Sequence, residues 1–244
     1  MRCGGCQLEP VYARMRISFL IPAYNERATI CQVLDGLDAL AIDHQVIVID
    51  DGSTDGTADA VEQWCGDRDD VILLRQVKNR GKGSALRAGI AHIDGEVTVV
   101  QDADLEYDTA EVPALIAPIE QGIADVVYGS RLSGGRPQRA YLFWHLVGNR
   151  FLTLLTGILF NTTLSDMETG YKAFRTEVLQ SLDLRQDDFS IEAEITAKVC
   201  LRGLRVYQVP ISYYGRSYEE GKKITWRDGF KAVWVLLRVR IRGT

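Results

Sequence analysis

The chain has 244 residues, of which 46% are hydrophobic and 25% charged, and it carries a net charge of −5. That length suits one large α/β domain or two small ones, and the apolar fraction is enough for a real core. The acidic balance excludes a generally basic, nucleic-acid-coating surface, and no nucleic-acid partner is expected. The charge is uneven: residues 214–244 hold eight Lys/Arg against three Asp/Glu, which leaves −10 on the rest. A basic tail on an acidic body suits phosphates or an anionic membrane. The five cysteines, an odd and widely spaced set, read as a reducing compartment. Cys3-x-x-Cys6 is half a zinc knuckle with no second half. Residues 1–14 differ from the body and are expected to be a disordered extension, with Met15 a plausible alternative start. No stretch reaches the roughly 18 uninterrupted apolar residues of a membrane span. The nearest, Tyr141–Phe160, is broken by His145, Asn149 and Arg150.

In chain order, Ile17–Ile21 reads as a buried strand ending in Pro22-Ala-Tyr-Asn-Glu26, with Asn25 a cap for a helix from Glu26 to Leu40. Gln45–Ile49 is a second strand, running into Asp50-Asp-Gly-Ser-Thr-Asp-Gly56 and a helix to Cys65. Val71–Leu74 is a third. Asn79-Arg-Gly-Lys-Gly-Ser84 opens a helix to Ile93. Val97–Val100 is a fourth strand, followed by Gln101-Asp-Ala-Asp-Leu-Glu106. Ala110–Gln121 is helical, and Asp125–Tyr128 is a strand ending in Gly129-Ser-Arg131. Beyond a flexible loop, Tyr141–Phe160 suggests one or two helices. Thr163–Thr169 is a loop, Phe189–Arg202 a helix, Arg205–Val209 a strand and Trp226–Arg240 a last helix. Strands that alternate with helices, and whose apolar runs are continuous, predict a mostly parallel sheet covered on both faces. No internal repeat or linker is evident, so the expectation is a single domain over 15–244. Strand–helix alternation is regular over 15–131 and less regular over 132–244.

In such sheets ligands bind beyond the carboxyl ends of the strands, where each of these loops falls. Asp102, Asp104 and Glu106 are hard oxygen donors that repel one another unless a cation holds them, which suits Mg²⁺ or Mn²⁺ carrying a diphosphate. Asp50–Gly56 reads either as acceptors for a base N–H or ribose, or as a turn with Ser53 or Thr54 as helix cap. Asn79–Ser84 reads either as phosphate support, with Lys82 near a diphosphate, or as a plain helix start. Its Gly-Lys-Gly-Ser order is not a Walker sequence, and Leu86 stands where a dinucleotide fingerprint needs glycine.

Ile21–Glu26, Asp50–Gly56, Asn79–Gly83 and Asp102–Asp104 resemble, in order and spacing, the family 2 glycosyltransferases of GT-A fold. Gly129–Arg131, Glu168–Phe174 and Gly221–Ile224 extend the resemblance to the polyprenyl-phosphate sugar synthases, the dolichyl-phosphate mannose synthase group. The resemblance spans residues 15–240. It implies a GT-A (Rossmann-like) fold and an inverting, metal-dependent enzyme. That enzyme would move a hexose, mannose or glucose, from a GDP- or UDP-sugar to a polyprenyl (dolichyl or undecaprenyl) phosphate. It implies Pro22, Tyr24, Glu26, Ile49 and Asp51 around the nucleoside and Ala103 backbone beside the nucleotide. Asp102 and Asp104 would hold Mg²⁺ or Mn²⁺, with Glu106 where relatives often carry Gln. Arg131, Arg216 and Lys222 would meet phosphates, and Ser217 follows Arg216 in a closing tail. The enzyme would sit peripherally on the cytoplasmic membrane face, with or without a separate anchoring partner. The alternative is a saccharide or other hydroxyl acceptor in cell-envelope polysaccharide synthesis.

The acceptor turns on a base. A sugar hydroxyl needs one, whereas a phosphomonoester, with a second pKa of about 6, is already anionic. Glu192 and Glu194 lie two apart on one helix, so at most one faces the site. Asp166 and Glu168 are loop alternatives, and His145 reads as a partly buried helix residue. None stands out, which favours a phosphate. The last helix spaces Trp226, Phe230, Val233, Trp234, Leu237 and Ile241 among Arg and Lys. That pattern suits an amphipathic interfacial helix or one packed on the body. A sugar-phosphate nucleotidyltransferase would carry a Gly-rich, Arg-containing loop where this chain has Pro22–Glu26.

Overall fold

The computed structural model describes residues 15–140, 142–216, 223 and 226–243. The expectations for residues 1–14, Ser217 and Lys222 lie outside the described residues. Four strands, β1 (Ile17–Ala23), β2 (His44–Asp50), β3 (Val71–Arg75) and β4 (Val97–Val100), come from the first half. Three more, β5 (Val126–Ser130), β6 (Lys172–Arg175) and β7 (Val206–Pro210), complete one sheet in the order β3-β2-β1-β4-β6-β5-β7. All pairings are parallel except those of β6, which runs antiparallel to β4 and β5. The mostly parallel sheet is as the sequence predicts, but β6 is an addition. Its four residues begin and end on a cation, so no apolar run announces it.

Successive side chains of each strand point to opposite faces. Phe19, Ile21, Val46 and Val48 meet α1 (Ile30–Asp38), α2 (Thr57–Cys65) and α4 (Val112–Glu120). Leu20, Ile47 and Ile49 meet α3 (Lys82–Ile90) and share their cluster with Leu179 of α6 (Thr176–Ser181) and Ile191, Ile195 and Val199 of α7 (Ile191–Leu201). A third cluster lies off the sheet. Leu152 of α5 (Phe143–Phe160), Ala193 and Ala197 of α7, and Val235, Leu236 and Val239 of α8 (Trp226–Arg242) pack around Met167.

Two local expectations are corrected. α1 starts at Ile30, and Asn25 does not cap it. Asn25 instead adopts φ +52°, accepts the Thr54 N–H at 2.9 Å and donates its own N–H to Ser53 Oγ at 2.9 Å. It thereby ties the loop after β1 to the loop after β2. The cap that Ser53 or Thr54 might give α2 comes from Asp55, whose Oδ1 accepts the Thr57 N–H at 3.0 Å.

α5 and α8 each bury one stripe and leave another in the open. Of 16 exposed large hydrophobic residues among those described, 11 lie on these two helices, which makes a patch rather than scatter. α5 is 18 residues long with a mean hydropathy of 1.2, enough by length and composition to cross a membrane, and its polar interruptions are His145, Asn149 and Arg150.

Candidate active site

A cavity of about 1150 Å³ opens at the carboxyl edge of β1, β2, β4 and β5. Its wall includes Pro22, Tyr24, Glu26, Asp51, Lys82, Asp102, Ala103, Asp104, Glu106, Arg131 and Arg216. Of the candidate residues within the described chain, Ile49, Asp166 and Glu194 are not among its lining residues. Ile49 sits inside β2 with no exposed surface, and a Cβ on Gly89 would lie 2.7 Å from its Cδ1. Its side chain is core under α3, and its backbone lies one residue from the carboxyl end of β2.

At the donor end, both Asp51 oxygens are engaged by backbone, accepting the N–H of Arg80 at 2.8 Å and of Gly81 at 2.7 Å. Burial raises the Asp51 pKa, and these two bonds oppose that. Gly81 has φ +99°, and a Cβ there would meet the Asp187 carbonyl at 2.5 Å. The start of α3 is thus braced on residues 186–188, and the Ser84 N–H is spent on Asp187 O at 2.9 Å. Lys82 lines the cavity, but its ammonium pairs with Asp102 at 2.7 Å and Glu192 at 3.0 Å. The Ala103 carbonyl accepts the Thr29 hydroxyl at 2.7 Å.

The acidic loop turns on Leu105, whose φ of +59° is rare for a residue with a side chain. The turn lets Asp104 Oδ1 accept the Glu106 N–H at 3.1 Å. Arg216 closes over this loop, with Nη2 2.8 Å from Asp104 and the guanidinium 2.9 and 3.1 Å from the two Glu26 oxygens. Lys223 adds a second cation to Glu26 at 2.6 Å and lies 5.5 Å over the Tyr24 ring. Glu106 is held from the other side: Oε2 accepts the Tyr213 hydroxyl at 3.0 Å and Oε1 the Arg216 backbone N–H at 2.8 Å. Among the described residues no three His, Cys, Asp or Glu side chains converge on one point, so Asp102, Asp104 and Glu106 do not form a three-carboxylate cage. Asp102 and Asp104 do fit the usual Mg²⁺ arrangement, in which one or two carboxylates act with substrate phosphates. Burial, then Asp102 and Glu106, push the Asp104 pKa up to about 7, and Arg216 only partly offsets them.

At the end of β5, Arg131 is held by Asp166 through two bonds of 2.7 and 2.8 Å and sits 5.1 Å over the Tyr213 ring. Asn149 of α5 donates to the same Asp166 at 2.8 Å. Burial alone would raise the Asp166 pKa, but Arg131 outweighs it and the net shift is downward. Glu192 lines the cavity, whereas Glu194 accepts the N–H groups of Arg185 and Gln186, as the two-residue spacing requires. Glu168 lines the cavity too. Its Oε1 is buried without a hydrogen-bond partner, and burial, then Glu192, push its pKa up to about 7. Beyond it the wall passes to Arg139, His145, Arg150, Trp144, Phe151 and Phe230, at the exposed faces of α5 and α8. Tyr213 was not singled out from the sequence, and Gly170 and Lys172 entered only as part of the Glu168–Phe174 motif, with no role of their own. Their partners lie far along the chain and leave no spacing signal.

Residues 18–183 match glycosyl transferase family 2. Undecaprenyl-phosphate mannosyltransferase of Micrococcus luteus is 28% identical over 250 residues, covering 93% of this chain and 99% of that protein. Dolichol-phosphate mannosyltransferase of Pyrococcus furiosus is 29% identical over 214 residues, and this chain spans 59% of its length. Glucosyl-3-phosphoglycerate synthase from Mycobacterium tuberculosis, solved with Mn²⁺, uridine diphosphate and phosphoglyceric acid, shares the fold. Its TM-score is 0.73 at 23% identity, over 98% of this chain and 84% of that one. With the GT-A sheet and the loops at its carboxyl edge in place, the chain belongs to glycosyl transferase family 2.

Proposed function

We propose that this glycosyltransferase uses Mg²⁺ or Mn²⁺ to move a hexose, mannose or glucose, from a GDP- or UDP-sugar to a polyprenyl phosphate, inverting the anomeric carbon. The observation that carries the proposal is the shape of the cavity. One end is a cluster of carboxylates, and the other is an apolar and basic mouth on the exposed helices α5 and α8. A saccharide has no use for such a mouth, and a lipid with a phosphate headgroup uses both of its features. The names of the Micrococcus and Pyrococcus relatives support the acceptor, and the Mn²⁺ and uridine diphosphate of the fold neighbour support the donor site.

Pro22, Tyr24 and Asp51 border the nucleoside; Asp102 and Asp104, with Glu106 beside them, would hold the metal, which would supply positive charge for the departing diphosphate. Arg216 reaches over the same point and meets the diphosphate as its charge grows. An acceptor phosphate oxygen bonds to the anomeric carbon as the bond to the diphosphate breaks. That oxygen is anionic already, so orientation by Arg139 or Arg150 replaces proton removal. The exposed aromatics, with Arg238 5.1 Å over the Trp234 ring, support peripheral contact with an anionic membrane surface on the cytoplasmic side, alone or with an anchoring partner.

Glu168 favours a second reading. An unpartnered carboxyl with a pKa of about 7 is suited to take a proton from a hydroxyl acceptor. The deciding experiment offers each GDP- and UDP-hexose with Mn²⁺ to polyprenyl phosphate, to the phosphatase-treated lipid and to oligosaccharides. Labelled lipid only with the intact phosphate is expected, and transfer to an oligosaccharide would establish the second reading instead.

A further inference from the structure

Asp102 does not stand alone on the cavity wall. Lys82 Nζ lies 2.7 Å from Asp102 Oδ1 and 3.0 Å from Glu192 Oε1. The other Glu192 oxygen is held by Lys172, which also donates to the carbonyls of Met167 and Thr169 and lies 4.7 Å over the Tyr128 ring. The result is one row of alternating charge, Lys172–Glu192–Lys82–Asp102, built from β6, α7, α3 and the loop after β4. Side-chain exposure rises along it, from 1% at Lys172 through 7% and 10% to 21% at Asp102. Lys172 is shut away from the cavity, and the other three border it, Asp102 most openly. The row sums to zero charge, which is how such ions are tolerated inside a protein. Gly170 makes room for it: a Cβ there would lie 2.3 Å from Asp102 Oδ2 and 2.7 Å from Lys82 Nζ.

We propose that Glu192 is a positioning residue for Asp102, acting through Lys82, and does not receive the acceptor's proton. Both Glu192 oxygens face ammonium groups, so neither is free to reach an acceptor. What Glu192 does is divide the attraction of Lys82. With Glu192 present, Lys82 is shared between two carboxylates, and Asp102 keeps lone pairs for another cation. Without that charge, Lys82 has Asp102 as its single counter-ion and leaves a net positive charge beside it. Both effects oppose binding of a divalent cation at Asp102. Removing Lys172 has the opposite sign, because Glu192 then draws Lys82 away from Asp102. The inference rests on the metal reading proposed above.

The test is Mn²⁺ affinity, read from the electron paramagnetic resonance of free Mn²⁺, with GDP or UDP present and no acceptor. Glu192→Gln should weaken Mn²⁺ binding about tenfold, in line with one partly screened charge a few ångströms away. Glu192→Asp should restore part of the loss, and Lys172→Met should tighten binding. In a Lys82→Gln background, Glu192→Gln should have little effect, because the route through Lys82 is gone. The inference is overturned if Glu192→Gln leaves Mn²⁺ affinity unchanged while abolishing turnover, as a base would. It is also overturned if the loss is equally large without Lys82. Should Glu192→Gln fail to fold, Lys172→Met carries the test, and unchanged or weaker Mn²⁺ binding there would overturn it. Absence of Mn²⁺ binding by the unaltered protein with either nucleotide would instead remove the metal reading itself.

Discussion

Arg131 and Asp166 illustrate what single residues contribute here. The aspartate is fully buried and spends both oxygens on one guanidinium and on Asn149. Breaking a buried pair from one side leaves the other charge stranded, which costs about 3–5 kcal/mol. Asp166→Ala should therefore lower unfolding free energy by roughly that amount in urea titrations. Glu168 behaves differently. Its folded pKa lies at about 7, above the unfolded glutamate value of roughly 4.3. Between those values the folded chain keeps a proton that the unfolded chain has released, so this group makes stability fall as pH rises through the window. Glu168→Gln removes the slope. Its stability should gain on the parent's by about 2–3 kcal/mol between pH 5 and pH 8. Parallel urea titrations at the two pH values would show a constant difference if the burial argument is wrong.

Among the elements, the loops after β1, β2 and β4 were legible because each motif is local and the sheet-edge rule gathers them. β6 was not, since Lys172 sits in it only because Glu192, 20 residues away, neutralises it. Arg131 and Asp166 are 35 residues apart, and no periodicity links them. Strand alternation turns the Ile49 side chain toward α3, while Asp51, beyond the strand end, reaches the cavity. The start of α3 illustrates how tightly two loops meet: Gly81→Ala puts a Cβ 2.5 Å from a backbone carbonyl at a positive φ. About 1–3 kcal/mol of destabilisation is expected, read as a drop in melting temperature. On α8 the buried stripe and the exposed stripe separate two jobs. Phe230→Ser with Trp234→Ser should leave the melting temperature unchanged. It should weaken sedimentation with anionic vesicles by tenfold or more, since each large side chain left in water forfeits about 1.5–3 kcal/mol. Unaltered vesicle binding would count against the membrane face.

Taken whole, the molecule divides its charge as it divides its surface. The −10 body surrounds the carboxylates of the cavity, and the +5 stretch from residue 214 carries α8. Binding to anionic vesicles should therefore weaken as NaCl rises from 0.05 to 0.5 M and persist on neutral vesicles only through the apolar residues. Co-sedimentation across that series would separate the two contributions. Both the sheet and its carboxyl-edge cavity were legible at this scale. The charge division was legible as well, because composition and strand–helix alternation are properties of the whole chain.

The reversed strand β6 has a consequence for how the chain is made. β4 and β5 are not neighbours, and only residues 172–175 join them. A ribosome that has released residues 15–131 has supplied five strands but only four that can pair. β5 must wait for roughly forty more residues before it finds a partner. The same late insertion brings Gly170 against Asp102 and Lys172 against Glu192. Completion of the sheet and of the charged row at Asp102 are therefore one event in time, and a stalled or truncated product ending near residue 131 has only the strands β3-β2-β1-β4 to pair.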